Sequence, residues 1–124
     1  MNMKSALITK VLLLSVVGLL AARIAQAGNN YSTTFVTISN LVFYSASDDI
    51  YPLYDGVVVV NFAQPLTWRF GNNCATGAVA IRSGDKTLMT AVQTALATGR
   101  PIQVFADDAQ TVDGVVCYLR AIEM

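Results

Sequence analysis

Catalysis needs particular side chains, and this chain holds few of the usual ones. It contains no histidine, so the commonest general base at neutral pH is missing. Its two cysteines, Cys74 and Cys117, do not make a zinc site without further ligands. Neither a Gly-x-Ser-x-Gly elbow nor a Gly-rich phosphate loop occurs. Carboxylates stand side by side at Asp48 and Asp49 and again at Asp107 and Asp108. A calcium ion takes about six to eight oxygen ligands, so each pair reads as a solvated turn rather than a metal site. The inventory predicts a protein that is not an enzyme and that uses no metal and no cofactor.

Binding chemistry is better represented. A sugar site sets an aromatic face against a pyranose ring and adds a few convergent polar groups. Tyr31, Tyr44, Tyr51, Tyr54 and Trp68 have that capacity, and Tyr51 and Tyr54 flank Pro52 in a stretch that favours exposure. The alternative for each is a place in the core or at its rim, with the polar tip outward. Arg69, next to Trp68, has the geometry to grip a carboxylate in two hydrogen bonds; its alternative is a solvated charge on a strand.

The N-terminus reads as a processing segment. Lys4 and Lys10 precede the apolar run VLLLSVVGLLAA, and Ala-Gln-Ala at 25–27 has the pattern of a cleavage site. The run is shorter than the roughly 20 apolar residues that span a bilayer, so an uncleaved anchor is the lesser alternative. A signal peptide over 1–27 leaves a mature chain of residues 28–124, one domain, exported to the periplasm or beyond the cell. Its charged residues are Arg69, Arg82, Lys86, Arg100 and Arg120 against Asp48, Asp49, Asp55, Asp85, Asp107, Asp108, Asp113 and Glu123, a net charge of −3. Neutralising phosphates takes a basic face, which excludes nucleic acid as a partner. In an oxidising compartment the two cysteines predict a Cys74–Cys117 disulfide.

These groups must be positioned by a mainly β chain. Residues 33–46 alternate and are rich in β-branched and aromatic types, which predicts a long first strand. Residues 57–62 follow as a second strand, whose Val run predicts burial on both faces, and 77–81 as a third. The segment LTWRF at 66–70 reads as either a short strand or a hairpin end.

One helix comes next. Ser83 and Asp85 are both N-cap candidates, and Leu88, Met89, Val92, Ala95 and Leu96 form an apolar stripe. Gly99 suits a left-handed cap and Pro101 blocks continuation. Strands at 102–106 and 115–122 close the list, with 107–114 as a turn between them and Val115, Cys117, Leu119 and Ala121 on one face of the last. Five strands with a helix between the third and fourth is the connectivity of an OB-fold, a small Greek-key barrel. A sandwich with a decorating helix is the alternative.

The helix-to-strand stretch LMTAVQTALATGRPIQVF at 88–105, with its Thr98-Gly99 turn, resembles the B subunits of subtilase cytotoxin and of pertussis-like typhoid toxin. So does NNYSTTFVTISNLVF at 29–43, where a Tyr-Ser pair precedes a Val-Ile-Ser strand. The resemblance implies an OB-fold subunit of a homo-oligomer, a ring of five, that binds sialylated host glycans and carries a separate catalytic A subunit. It implies that Ser32 is the glycan-binding serine, with Tyr31 beside it, or Thr34 if the match is offset by two. Arg69 joins this expected site by region, and Trp68 beside it as an aromatic face. The chain departs from the family in having one cysteine pair, no tail beyond the last strand, and ADDAQTVDG in place of a Trp-containing loop. A stand-alone periplasmic β-barrel protein with a structural or inhibitory role is the second expectation.

Overall fold

The computed structural model describes residues 29–124 except Asp48. The expected signal peptide therefore lies outside the described residues, as does one member of the Asp48 and Asp49 pair. The strands are β1 (Asn30–Tyr31), β2 (Ile38–Phe43), β3 (Val58–Phe62), β4 (Ala78–Ile81), β5 (Gln103–Thr111) and β6 (Cys117–Glu123). One α-helix, α1 (Lys86–Thr98), stands between β4 and β5, and a 3-10 turn spans Pro52–Tyr54. The strands form one mixed sheet in the order β1-β5-β6-β4-β3-β2, antiparallel except where β4 runs parallel to β6.

Six strands replace the expected five: the expected first strand, 33–46, is confined to β2, and β1 forms ahead of it. β1 pairs with β5, whereas β2 pairs with β3. The two are consecutive in the chain yet stand at opposite ends of the sheet order, which is open. Between them Val36 and Ile102 exchange backbone hydrogen bonds, each 2.8 Å. Ser39 is the extra residue where the β2–β3 register shifts between Ile38 and Asn40.

The valine run of β3 is buried on both faces, as its composition predicts. Val58 and Val60 join the main core with Val36, Val79, Ile81 and Leu119, closed over by Leu88, Met89, Val92, Ala95 and Leu96 of α1. Val57 and Val59 face a smaller cluster with Ala80 and Val112, against which Tyr44, Tyr54 and Tyr118 pack. Asp85 caps α1, its carboxylate accepting from the Leu88 amide at 3.2 Å, and Gly99 ends the helix at φ 64°.

The last hairpin departs from expectation. β5 continues through Asp107 and Asp108 to Thr111, and the turn shrinks to the residues around Asp113 and Gly114. The two aspartates are tolerated in the ladder because each has a partner: Asp107 lies 3.7 Å from Arg82, and Asp108 accepts from Asn30 at 3.3 Å. On β6 a register shift sets Ala121 opposite Phe105 and Leu119 opposite Ala106. Cys117 and Leu119 are buried, but beyond the shift it is Ile122, not Ala121, that packs on the core, and Val115 is exposed. The expected disulfide is present, with Cys74 and Cys117 Cα atoms 5.4 Å apart.

Candidate functional site

Two aromatic groupings face outward from this frame. The first gathers the residues expected from the sequence. The segment 66–70 does not form a named strand; it docks on the chain start instead. Ser32 and Trp68 form an isolated antiparallel bridge, Arg69 donates its amide to the Tyr31 carbonyl at 2.9 Å, and Thr33 donates to Thr67 at 2.8 Å. Asn30, fully buried, clamps the pair: its side-chain amide donates to the Phe70 carbonyl at 2.9 Å, and its Oδ1 accepts from the Phe70 amide at 3.1 Å.

The five expected residues thus lie together, but their side chains are differently employed. Ser32 is fully buried. Its amide donates to the Val104 carbonyl and its Oγ accepts from the Val104 amide, so the side chain completes a ladder with β5. Trp68 packs against the main core and the disulfide, and its Nε1 donates to the Ala75 carbonyl at 3.3 Å. Tyr31 is half-buried between Phe70, edge-on at 6.1 Å, and Phe105 at 5.9 Å. Arg69 is exposed with its guanidinium 5.3 Å from the Phe70 ring centre, and Thr34 is exposed. Tyr31, Arg69 and Thr34 therefore offer groups to solvent on this face, and Ser32 does not.

The second grouping is a hollow of about 540 Å³ between the loop 44–57 and the turn 112–116. Tyr44, Ile50, Tyr51, Pro52, Leu53, Tyr54 and Asp113 line it. The loop folds back by local bonding: Gly56 donates to the Ser45 carbonyl at 2.9 Å, and Tyr44 to that of Val57 at 3.1 Å. Gly56 has φ +67°, and a Cβ there would fall 2.8 Å from the Ser83 hydroxyl, so both conformation and space require glycine.

The tyrosines converge within the hollow. Tyr44 and Tyr54 lie 4.8 Å apart and tilted by 33°, and Tyr51 meets Tyr44 edge-on at 6.2 Å. Opposite them, Asp113 accepts from the amides of Val115 and Val116 through Oδ1 and from the Tyr54 hydroxyl through Oδ2. The phenol's hydrogen bond, followed by those backbone amides, holds the Asp113 carboxyl below the usual carboxylate range. Partial burial, then the Asp113 hydrogen bond and charge, pushes the Tyr54 hydroxyl above the ordinary phenol range. Ile50 is 79 % exposed, Leu53 67 % and Tyr51 56 %, so apolar surface stands open to solvent at the rim.

The aromatic residues of the hollow were visible in the sequence as Tyr44, Tyr51 and Tyr54; their polar partner was not. Asp113 reads locally as a turn former, and only the tertiary fold brings it to Tyr54 across 59 positions. Among the described residues no group of three His, Cys, Asp or Glu side chains gathers as a metal-ligand set. Comparison of the chain with protein-family models, with curated proteins and with solved structures finds no match.

Proposed function

We propose that the chain is an exported, non-catalytic glycan-binding protein, that its sheet is an OB-type barrel, and that the sugar sits in the tyrosine hollow. The convergence of Tyr44, Tyr51 and Tyr54 with Asp113 carries the reading. Stacking faces with one carboxylate to accept sugar hydroxyls, in a concavity of this size, is the composition a pyranose site requires.

The barrel reading rests on the strand order, the parallel β4–β6 pair, the helix between β4 and β5, and the Val36–Ile102 bridge, which ties the segment leading into β2 to the segment leading into β5. β1 and β2 then count as one bent strand. OB-folds bind oligosaccharides through the loops that follow the first and fourth strands of the barrel. Those loops are here 44–57 and 112–116, the two sides of the hollow. The resemblance to toxin B subunits extends the proposal to a ring of five that carries a separate catalytic subunit. Phe35 and Phe43, 54 % and 61 % exposed, and the edge of β2 are surfaces such a ring would cover.

A second placement has its own support. Arg69 beside Tyr31 and Phe70 has the chemistry to hold an acidic sugar on the opposite grouping.

A glycan array followed by calorimetry separates the two. Tyr51→Ala is expected to weaken binding by about tenfold or more, as truncation of an aromatic anchor does, and Ser32→Ala to leave affinity unchanged. Binding lost in Arg69→Ala and kept in Tyr51→Ala would move the sugar to the other face. A protein that binds no glycan would end the reading in favour of a stand-alone structural or inhibitory role.

A further inference from the structure

We propose that the hollow selects an amino sugar, a saccharide bearing a protonated amine and no acid, over a neutral or sialylated one. This inference rests on the glycan reading above and adds the charge of the ligand. The loop 45–56 carries Asp48, Asp49 and Asp55, and the turn 112–116 carries Asp113; neither segment has a lysine or arginine. By sequence, half of the chain's eight acidic residues fall in these two segments, Asp49, Asp55 and Asp113 among the described ones, and Asp113 is the one that lines the hollow. Two bases, Arg82 and Lys86, line a neighbouring hollow with Gly56 at the end of this loop; neither lines the tyrosine hollow, and Arg82 is engaged, its guanidinium 4.2 Å from the Tyr118 ring centre, 2.6 Å from Gln110 and 3.7 Å from Asp107.

The groups inside the hollow suit the same ligand. Asp113 lines the hollow with a carboxylate whose three bonds come from two amides and one phenol. A carboxylate has about four acceptor positions, so one more donor can be taken, and an ammonium is the strongest available. Tyr44, Tyr51 and Tyr54 add ring faces whose negative quadrupole attracts a cation. A carboxylated sugar would set like charges together with no cation in the lining to offset them.

The test is calorimetry of the folded protein with a glucosamine trisaccharide, its fully N-acetylated twin and a sialylated trisaccharide, at mildly acid pH and low salt. The free amine is expected to bind about tenfold or more tighter than the acetylated twin, with the difference shrinking as salt is added, and the sialylated sugar is expected not to compete. Asp113→Asn keeps the acceptor oxygen for the turn and is expected to abolish the preference, lowering affinity for the free amine by a larger factor than affinity for the acetylated twin. Should that variant fail to fold, Asp49→Asn on the exposed loop is expected to reduce the preference in the same direction by a smaller factor. Equal or tighter binding of the acetylated twin, or competition by the sialylated sugar, would overturn the inference and leave the glycan reading standing. No binding of these or any other saccharide would end both.

Discussion

The hydrogen bond from Tyr54 to Asp113 ties the loop 44–57 to the turn between β5 and β6, and its strength depends on charge. Asp113 titrates below its unfolded value of about 3.9, chiefly because the phenol donates to it. A carboxyl depressed in the fold contributes stability above its unfolded pKa and loses it as pH falls through the folded value. Tyr54 is raised in the fold, so its contribution is complete below the ordinary phenol pKa of about 10 and is lost only in alkali. The latch is thus closed across the neutral range. Tyr54→Phe is expected to cost about 1 kcal/mol or less at neutral pH, since the acceptor is exposed. The difference from the parent should vanish in acid as Asp113 protonates. Urea unfolding of both proteins at neutral and acid pH measures this, and a difference that does not change with pH would uncouple the latch from Asp113.

Helix α1 covers the main core, and it is the element whose position and ends were most legible in the sequence. The stripe Leu88, Met89, Val92, Ala95 and Leu96 faces the core as its spacing predicts. Of the two cap candidates the structure uses Asp85. Asp85→Ala should therefore cost about 1 kcal/mol, a fall in Tm of about 4–8 °C for a domain this size, whereas Ser83→Ala should fall within about 0.5 kcal/mol of the parent. Circular-dichroism melts of the two variants decide it, and equal losses would reject Asp85 as the cap. Strands were less legible where the pairing partner changes. Alternation through residues 33–46 carries no mark of the point at which the chain leaves β5 for β3, because that switch is made by neighbours distant in sequence. Asp107 and Asp108 read as turn residues because their partners, Arg82 and Asn30, come from elsewhere in the fold. Ser32 is a similar case at the site. Its burial follows from the pairing of its hydroxyl with Val104, 72 positions away, which no local pattern encodes.

At the scale of the molecule, the Cys74–Cys117 bridge encloses β4, α1 and β5, the elements on which the core closes. Both cysteines are buried, and Trp68 packs on them together with Ala106. The bridge shuts a loop with a sequence separation of 43 residues, which in the chain-entropy model is worth about 4 kcal/mol. Domains of this size have total stabilities of about 5–15 kcal/mol, so one bond decides a large share of the margin. A Cys74→Ser, Cys117→Ser double variant should fold only marginally. Its denaturant midpoint should fall sharply and its slope should rise, because the unfolded chain without the loop constraint expands and exposes more surface. The buried sulfurs further predict that a mild reductant leaves the native protein intact and acts only once denaturant opens it. Thiol titration along a urea gradient with reductant present follows both effects. Rapid reduction of the native protein, or a double variant as stable as the parent, would mean that the packing of β4, α1 and β5 holds without the bridge.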